Sequence, residues 1–178
     1  MKTKTSPPLT PEQYQAKIET VINTLKQDLP TLFEKDISYE IYTSDIYFTD
    51  PVNTFKWKFN YRIIFWTLRF HAGLFFSEIY FDLHQVQQTA VDLITADWTV
   101  RGTLRLPWKP QIFFNGSSAY HLSNQALIYR HEDTWDRSPQ TILKQFFQRQ
   151  PNSNPEERGK SKHPPIEFGF THYNFVGF

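Results

Sequence analysis

The chain contains no cysteine. Disulfides, thiolate metal sites and a cysteine nucleophile are therefore excluded. It also lacks an excess of either charge, with 19 Lys and Arg against 18 Asp and Glu. Nucleic-acid-binding domains usually carry a clear basic excess, so nucleic acid is not an expected partner. The longest apolar-rich stretch is broken by Lys56, Lys58, Arg62 and Arg69. No transmembrane helix is expected from it. The N-terminal MKTKTSPPLTPE has lysines without an apolar stretch behind them, so a secretory signal is not expected either. No glycine-rich phosphate loop is present. NGSSAY resembles a G-x-S-x-G elbow only superficially and reads as strand. His71, His84, His121, His163 and His172 have neither i,i+4 helical spacing nor a cysteine partner, so no metal site is expected. These exclusions leave a soluble, cytoplasmic protein as the expectation, with no cofactor named by any pattern.

What the chain has in abundance is aromatic rings: 17 Phe, 9 Tyr and 5 Trp. Such residues carry much buried area each. They can fill a core in place of leucine, or they can line an apolar cavity or docking surface. Its 178 residues suit one domain with one core. In FKWKFNYR, basic residues alternate with aromatic ones. That pattern can touch RNA or an anionic membrane face, or simply begin a solvated helix.

Residues 1–10 read as a flexible lead. Thr10 followed by Pro11 predicts a capped helix start. Tyr14, Ile18, Val21, Ile22, Leu25 and Leu29 then keep helical spacing, predicting a helix over 11–29. A second short helix is expected within 31–43. SDIYFTDP predicts a short strand closed by Asp50-Pro51. Phe55, Phe59, Ile63, Trp66 and Phe70 form a helical stripe beside Tyr61, Phe65 and Leu68. A third helix so apolar around its circumference should be covered on two sides. From about residue 75 the period becomes two. IYFDLHQVQ, VDLITADWTVRGTLRL, QIFFNGSSAYHL and ALIYRHEDTWD predict four antiparallel strands, with Gly116 marking a bulge. Ser138-Pro139 opens a last helix. The single domain is thus expected over 11–149, followed by a linker over 150–165 and an aromatic tail, IEFGFTHYNFVGF, over 166–178. Helices followed by a meander of strands indicate an α+β fold.

The motifs YTSDIYFTDP, FHAGLFF, LRLPWKP, FNGSSAY and HEDTWD, in this order, resemble the cyanobacterial and plastid family known as domain of unknown function 2358. That family lies within the nuclear transport factor 2-like, or SnoaL-like, superfamily. The resemblance covers residues 12–148. It implies a cone in which three N-terminal helices pack into a strongly curved antiparallel sheet. It implies no settled activity, since the superfamily holds isomerases, dehydratases, cyclases, carotenoid-binding domains and dimerisation modules. Plant members are expected in chloroplasts, and a peripheral place on thylakoids is open to this chain.

Within the cone, the candidate site centres on His131 and Asp133. Strand alternation puts Leu127, Tyr129, His131, Asp133 and Trp135 on one face. Residues two apart have alpha carbons about 6.5–7 Å apart, so the pair should share a ligand or a water more easily than touch. Three roles are open: a general acid/base pair, a ligand-orienting pair, or an internal tie in which Asp133 holds Arg62 or Arg69. Asp50 either faces the pocket or caps the turn beyond Pro51. Trp66, Trp98, Tyr120, Tyr129 and Trp135 either line a ligand or fill core. The expected function is a binding module for a small lipophilic molecule, such as a pigment, tetrapyrrole, isoprenoid or lipid. The alternatives are a proton-transfer enzyme using His131 and Asp133, or a protein-interaction module. The last would dimerise through the outer sheet face and dock a protein partner on residues 166–178.

Overall fold

A computed structural model describes residues 7–148. Most of the expected lead, the linker over 150–165 and the tail over 166–178 lie outside the described residues. The first helix, α1 (Pro11–Asp28), starts where its caps dictate. The Gln13 amide donates to Thr10 Oγ1 at 3.2 Å, and the Thr10 amide donates to Gln13 Oε1 at 3.0 Å. This reciprocal pairing satisfies two amides that a helix end would otherwise leave open. Ile18, Val21 and Leu25 are buried on its inner side.

The short second helix is not formed. Its place is taken by two single 3₁₀ turns, Leu29–Thr31 and Tyr39–Ile41. The Asp28 carboxylate accepts the Ser38 amide at 2.7 Å and so closes the intervening loop on itself. Buried Leu32, Ile37 and Ile41 are not spaced to share a helical face. A helix α2 (Lys58–Phe75) follows two strands, β1 (Tyr42–Thr49) and β2 (Thr54–Lys56). Strands β3 (Phe76–Ala90), β4 (Leu93–Leu104), β5 (Gln111–Leu122) and β6 (Ile128–Trp135) complete the sheet. The third α-helix, α3 (Pro139–Gln145), comes after the sheet and not before it. Ser138 caps it by accepting the Thr141 amide at 3.2 Å.

The six strands lie in the order β2-β1-β6-β5-β4-β3. The meander β3 to β6 is antiparallel as expected, whereas β1 joins β6 in parallel. Curvature comes from bulges, which bend and twist the strand that carries the extra residue. Against β4, the long strand β3 carries Ser77, His84 and Thr89 as extra residues. Against β5, strand β6 carries Tyr129 as one. That bulge breaks the alternation read from the sequence. Ile128 is buried before it, Tyr129 turns outward, and His131 returns to the inner face. The concave face packs on α1 and α2 in one continuous hydrophobic core.

Gly116 is not a bulge, because β4 and β5 keep unbroken register across it. It is required for a different reason. Trp98 lies directly across from it, and a Cβ at position 116 would stand 2.3 Å from Trp98 Cη2. Helix α2 also departs from expectation. Tyr61, Phe65 and Ala72 are buried, but its other side is open.

Two glycines should therefore respond oppositely to alanine. Gly116→Ala should lower the unfolding free energy by about 1–3 kcal/mol through overpacking against Trp98. Gly73→Ala, in α2 with nothing within 4 Å of the new methyl, should raise it by about 0.5–1 kcal/mol. Urea unfolding followed by far-ultraviolet dichroism measures both.

Candidate functional site

Between α2, the concave sheet and α3 lies a cavity of about 430 Å³. Its walls are apolar for the most part. Phe33, Phe48, Phe65, Phe76, Phe81, Phe114 and Phe146 contribute rings, with Trp98 and Trp135 among them. The polar groups reaching it are few: Asp50, Asn53, Thr67, His71 and Asp133. The aromatic floor is itself packed, with Phe81 and Trp98 centroids 5.0 Å apart and Phe114 and Trp135 centroids 5.3 Å apart. Helix α3 is fastened beside the cavity by Gln145, whose side chain donates to the Phe113 carbonyl and accepts its amide.

Behind the cavity wall runs a chain of buried hydrogen bonds. Trp98 Nε1 donates to Ser118 Oγ at 2.8 Å, and Ser118 Oγ donates to Asp133 Oδ1 at 2.5 Å. His131 Nε2 lies 2.9 Å from the same carboxylate oxygen. His131 Nδ1 lies 2.7 Å from the Tyr61 hydroxyl on α2. A carboxylate only accepts, so Nε2 is the protonated nitrogen facing Asp133. With one ring proton, on Nε2, Nδ1 accepts from the Tyr61 O–H. Two aromatic rings pack against the His131 ring. Tyr120 stacks on it at 4.3 Å and Phe48 meets it edge-on at 5.0 Å. The side chain of His131 is 4% exposed and that of Asp133 is 17% exposed.

His131 and Asp133 thus touch directly, contrary to the expectation from ideal strand spacing. Strand twist and rotamer choice let the longer imidazole lean along the strand toward the carboxylate. The expected arginine tie is not formed. Arg69 bonds Asp36 at 2.6 Å, and Arg62 lies over the Tyr39 ring at 4.9 Å. Asp133 is held by Ser118 and His131 in their stead.

The remaining expected residues fall in different places. Asp50 combines both of its readings: it lines the cavity, and its carboxylate accepts the Val52 and Asn53 amides at 2.7 and 2.5 Å. Trp98 and Trp135 line the cavity. Tyr120 is buried behind it, stacked on His131. Tyr129 is carried outward by the β6 bulge and lies beside His121. Trp66 is 61% exposed on the open side of α2, away from the cavity. Sequence reasoning passed over Tyr61 and Ser118 as members of the polar chain. Ser118 enters the chain through the β5–β6 register, which places it opposite Asp133 and which the sequence of either strand alone does not record. Among the described residues, no group of three or more His, Asp or Glu side chains is placed to hold a metal ion.

Burial pushes the Tyr61 phenol well above its ordinary pKa of 10.0, with neighbouring Tyr42 and Tyr120 adding to the effect. Burial does the same to Tyr120 and Tyr42, and nearby Asp133 contributes to both. The folded state therefore holds these phenolic protons more tightly than the unfolded chain does. The resulting stability is fully present below pH about 10 and is lost as pH rises beyond it. In an alkaline titration, tyrosinate absorption from Tyr42, Tyr61 and Tyr120 should appear only as the far-ultraviolet dichroism collapses. Their ionisation in a chain that keeps its dichroism would contradict this placement.

The same architecture occurs in solved structures of low sequence identity. An NTF2-like protein of unknown function from Cytophaga hutchinsonii matches with a TM-score of 0.53 at 13% identity, over 66% of this chain and 98% of that one. A putative polyketide cyclase from Xanthomonas campestris matches with a TM-score of 0.51 at 10% identity, over 74% and 98%. An NTF2-like protein from Anabaena variabilis matches with a TM-score of 0.50 at 12% identity, over 75% and 97%. At such identities the likeness shows the fold alone, an NTF2-like α+β fold with a curved sheet. No curated protein sequence matches the chain. The model of one sequence family covers residues 19–131, and the chain belongs to that family, the uncharacterized conserved protein family DUF2358.

Proposed function

We propose that the cone binds one small lipophilic molecule. The observation that carries this reading is the cavity of about 430 Å³ with its ring-lined wall and small set of polar groups. Ligand pockets commonly enclose about 300–1,000 Å³ and pair apolar walls with a few orienting polar atoms. The volume lies at the smaller end of that range. Among pigments, tetrapyrroles, isoprenoids and lipids, it favours a single isoprenoid or acyl chain over a whole tetrapyrrole. Asp133 and Asp50 on the wall would orient a hydroxyl or carbonyl at one end of such a chain.

The test begins with the absorption spectrum and organic extract of the purified protein. It continues with titration of cis-parinaric acid, read by quenching of tryptophan fluorescence. Saturable binding is expected, with Trp98 and Trp135 as the responsive rings. Ile79→Trp, which fills the cavity from β3, should weaken it by about tenfold or more. An empty protein that neither binds the probe nor responds to Ile79→Trp would refute the reading.

A second reading, proton transfer, is favoured by one specific arrangement. Asp133 stands in the cavity wall while bonded to His131, which in turn reaches Tyr61. Both bonds to the carboxylate fall on Oδ1. Oδ2 is then the atom available to take a proton from a bound substrate and return it to a neighbouring carbon, as in an isomerisation. In D₂O, wild-type protein would wash deuterium into a bound isoprenoid enone. Asp133→Asn would reduce that rate by about 10²–10⁴-fold, the usual worth of a positioned acid/base. Equal exchange by the two proteins, read by mass spectrometry, would leave only the binding reading.

A further inference from the structure

Helix α2 has two faces of opposite fate. Tyr61 and Phe65 are buried, while Phe59, Ile63, Trp66, Phe70 and Leu74 point outward. Their spacing of four, three, four and four residues makes one continuous stripe. The exposures are large for such residues: 71% for Phe59, 61% for Trp66, and 53% for both Phe70 and Leu74. The rings stack on one another along the helix. Trp66 and Phe70 are 5.5 Å apart and nearly parallel, and His71 stacks on Phe75 at 5.7 Å. The result is a raised ridge and not a groove. At about 1.5 Å per residue, the stripe from Phe59 to Leu74 runs for about 22 Å. A solvated chain rarely leaves so long an apolar surface uncovered.

Charge identifies what covers it. Between Asp50 and Glu78 the chain has no acidic residue. Over the same span it has Lys56, Lys58, Arg62 and Arg69. Arg69 is already committed to Asp36. Lys58, Lys56 (over the Tyr47 ring at 5.8 Å) and Arg62 (over the Tyr39 ring at 4.9 Å) have no carboxylate within 4 Å among the described residues and lie toward the N-terminal end of the stripe, where the helix dipole adds positive potential. Exposed rings beside cations, with no acidic residue in the chain between Asp50 and Glu78, suit a lipid headgroup layer. The rings enter the acyl boundary while long basic side chains reach up to the phosphates. No helix among the described residues is long and apolar enough to cross a bilayer.

We infer that the open face of α2 docks the protein on an anionic phospholipid surface. This inference does not depend on what the cavity holds. The test uses the full chain and sedimenting vesicles of phosphatidylcholine, with or without about 30 mol % phosphatidylglycerol. Binding is expected to the anionic vesicles alone and should weaken as salt is added. Trp66→Glu with Phe70→Glu should lower partitioning by about tenfold or more, and so should Lys56→Glu with Lys58→Glu. Because the two pairs lie apart on the surface, a folding defect in one leaves the other as the measure. Brominated acyl chains should quench Trp66 fluorescence in the wild-type protein.

Three results would overturn the inference. The first is equal partitioning of wild type and both variants, including none at all. The second is a wild-type dimer that Trp66→Glu turns into a monomer, which would make a second copy the occupant. The third is a chemical cross-link between residues 166–178 and α2 that anionic vesicles fail to displace, which would make the tail the occupant.

Discussion

The hydrogen bond from the Tyr61 phenol to His131 Nδ1 sets the rotation of α2 about its own axis. Tyr61 is fully buried and can reach His131 from one helical orientation only. With that angle set, Phe65, Ile64 and Leu68 fall against the cavity and Trp66 and Phe70 fall outside it. A slip of one residue, about 100°, would bring Trp66 to the place of Phe65, and about half a turn would exchange the two sets. A purely apolar contact would tolerate such a slip more easily, because dispersion has little directional preference. The bond is directional and buried, so losing it would leave a polar atom without a partner.

The same bond belongs to a longer chain that spans four elements. Trp98 on β4, Ser118 on β5, His131 and Asp133 on β6, and Tyr61 on α2 each satisfy a neighbour. Buried polar groups are costly unless paired throughout. Here the pairing follows the sheet register, since Ser118 faces Asp133 and Tyr120 faces His131 across β5 and β6. One shift in that register would separate several pairs together. The network therefore favours a single arrangement of the sheet, including the Tyr129 bulge that brings His131 and Asp133 inward.

Much of this was legible in the sequence where local chemistry alone decides. The α1 start followed from Thr10, Pro11 and the helical spacing behind them. The β5 limits, Gln111 to Leu122, followed from alternation between two turn signals. The inward placing of His131 and Asp133 on one face was also legible, because both lie beyond the bulge, whereas the cavity before them was not. Tyr129 was misplaced because a bulge depends on the partner strand, which one strand's alternation does not record. The absent second helix was a similar case: Asp28 closes that loop from ten residues away on Ser38. Gly116 was recognised as special, but for the wrong cause, since its need arises from Trp98 on another strand. The open side of α2 ran against a general rule. Apolar residues around a whole helix ordinarily mean cover around the whole helix.

Helix α2 ends at Phe75 and β3 begins at Phe76, with no linking residue between them. Phe76 and Ile79 at the start of that strand line the cavity, as do Thr67, Leu68 and His71 on the helix. Helix and strand therefore behave as one bent lever whose elbow sits at the cavity wall. A force applied to the outer rings of α2 cannot be absorbed by a slack connection. The outer rings of α2 and the Phe76 ring in the cavity wall are therefore carried by one unbroken stretch of regular backbone.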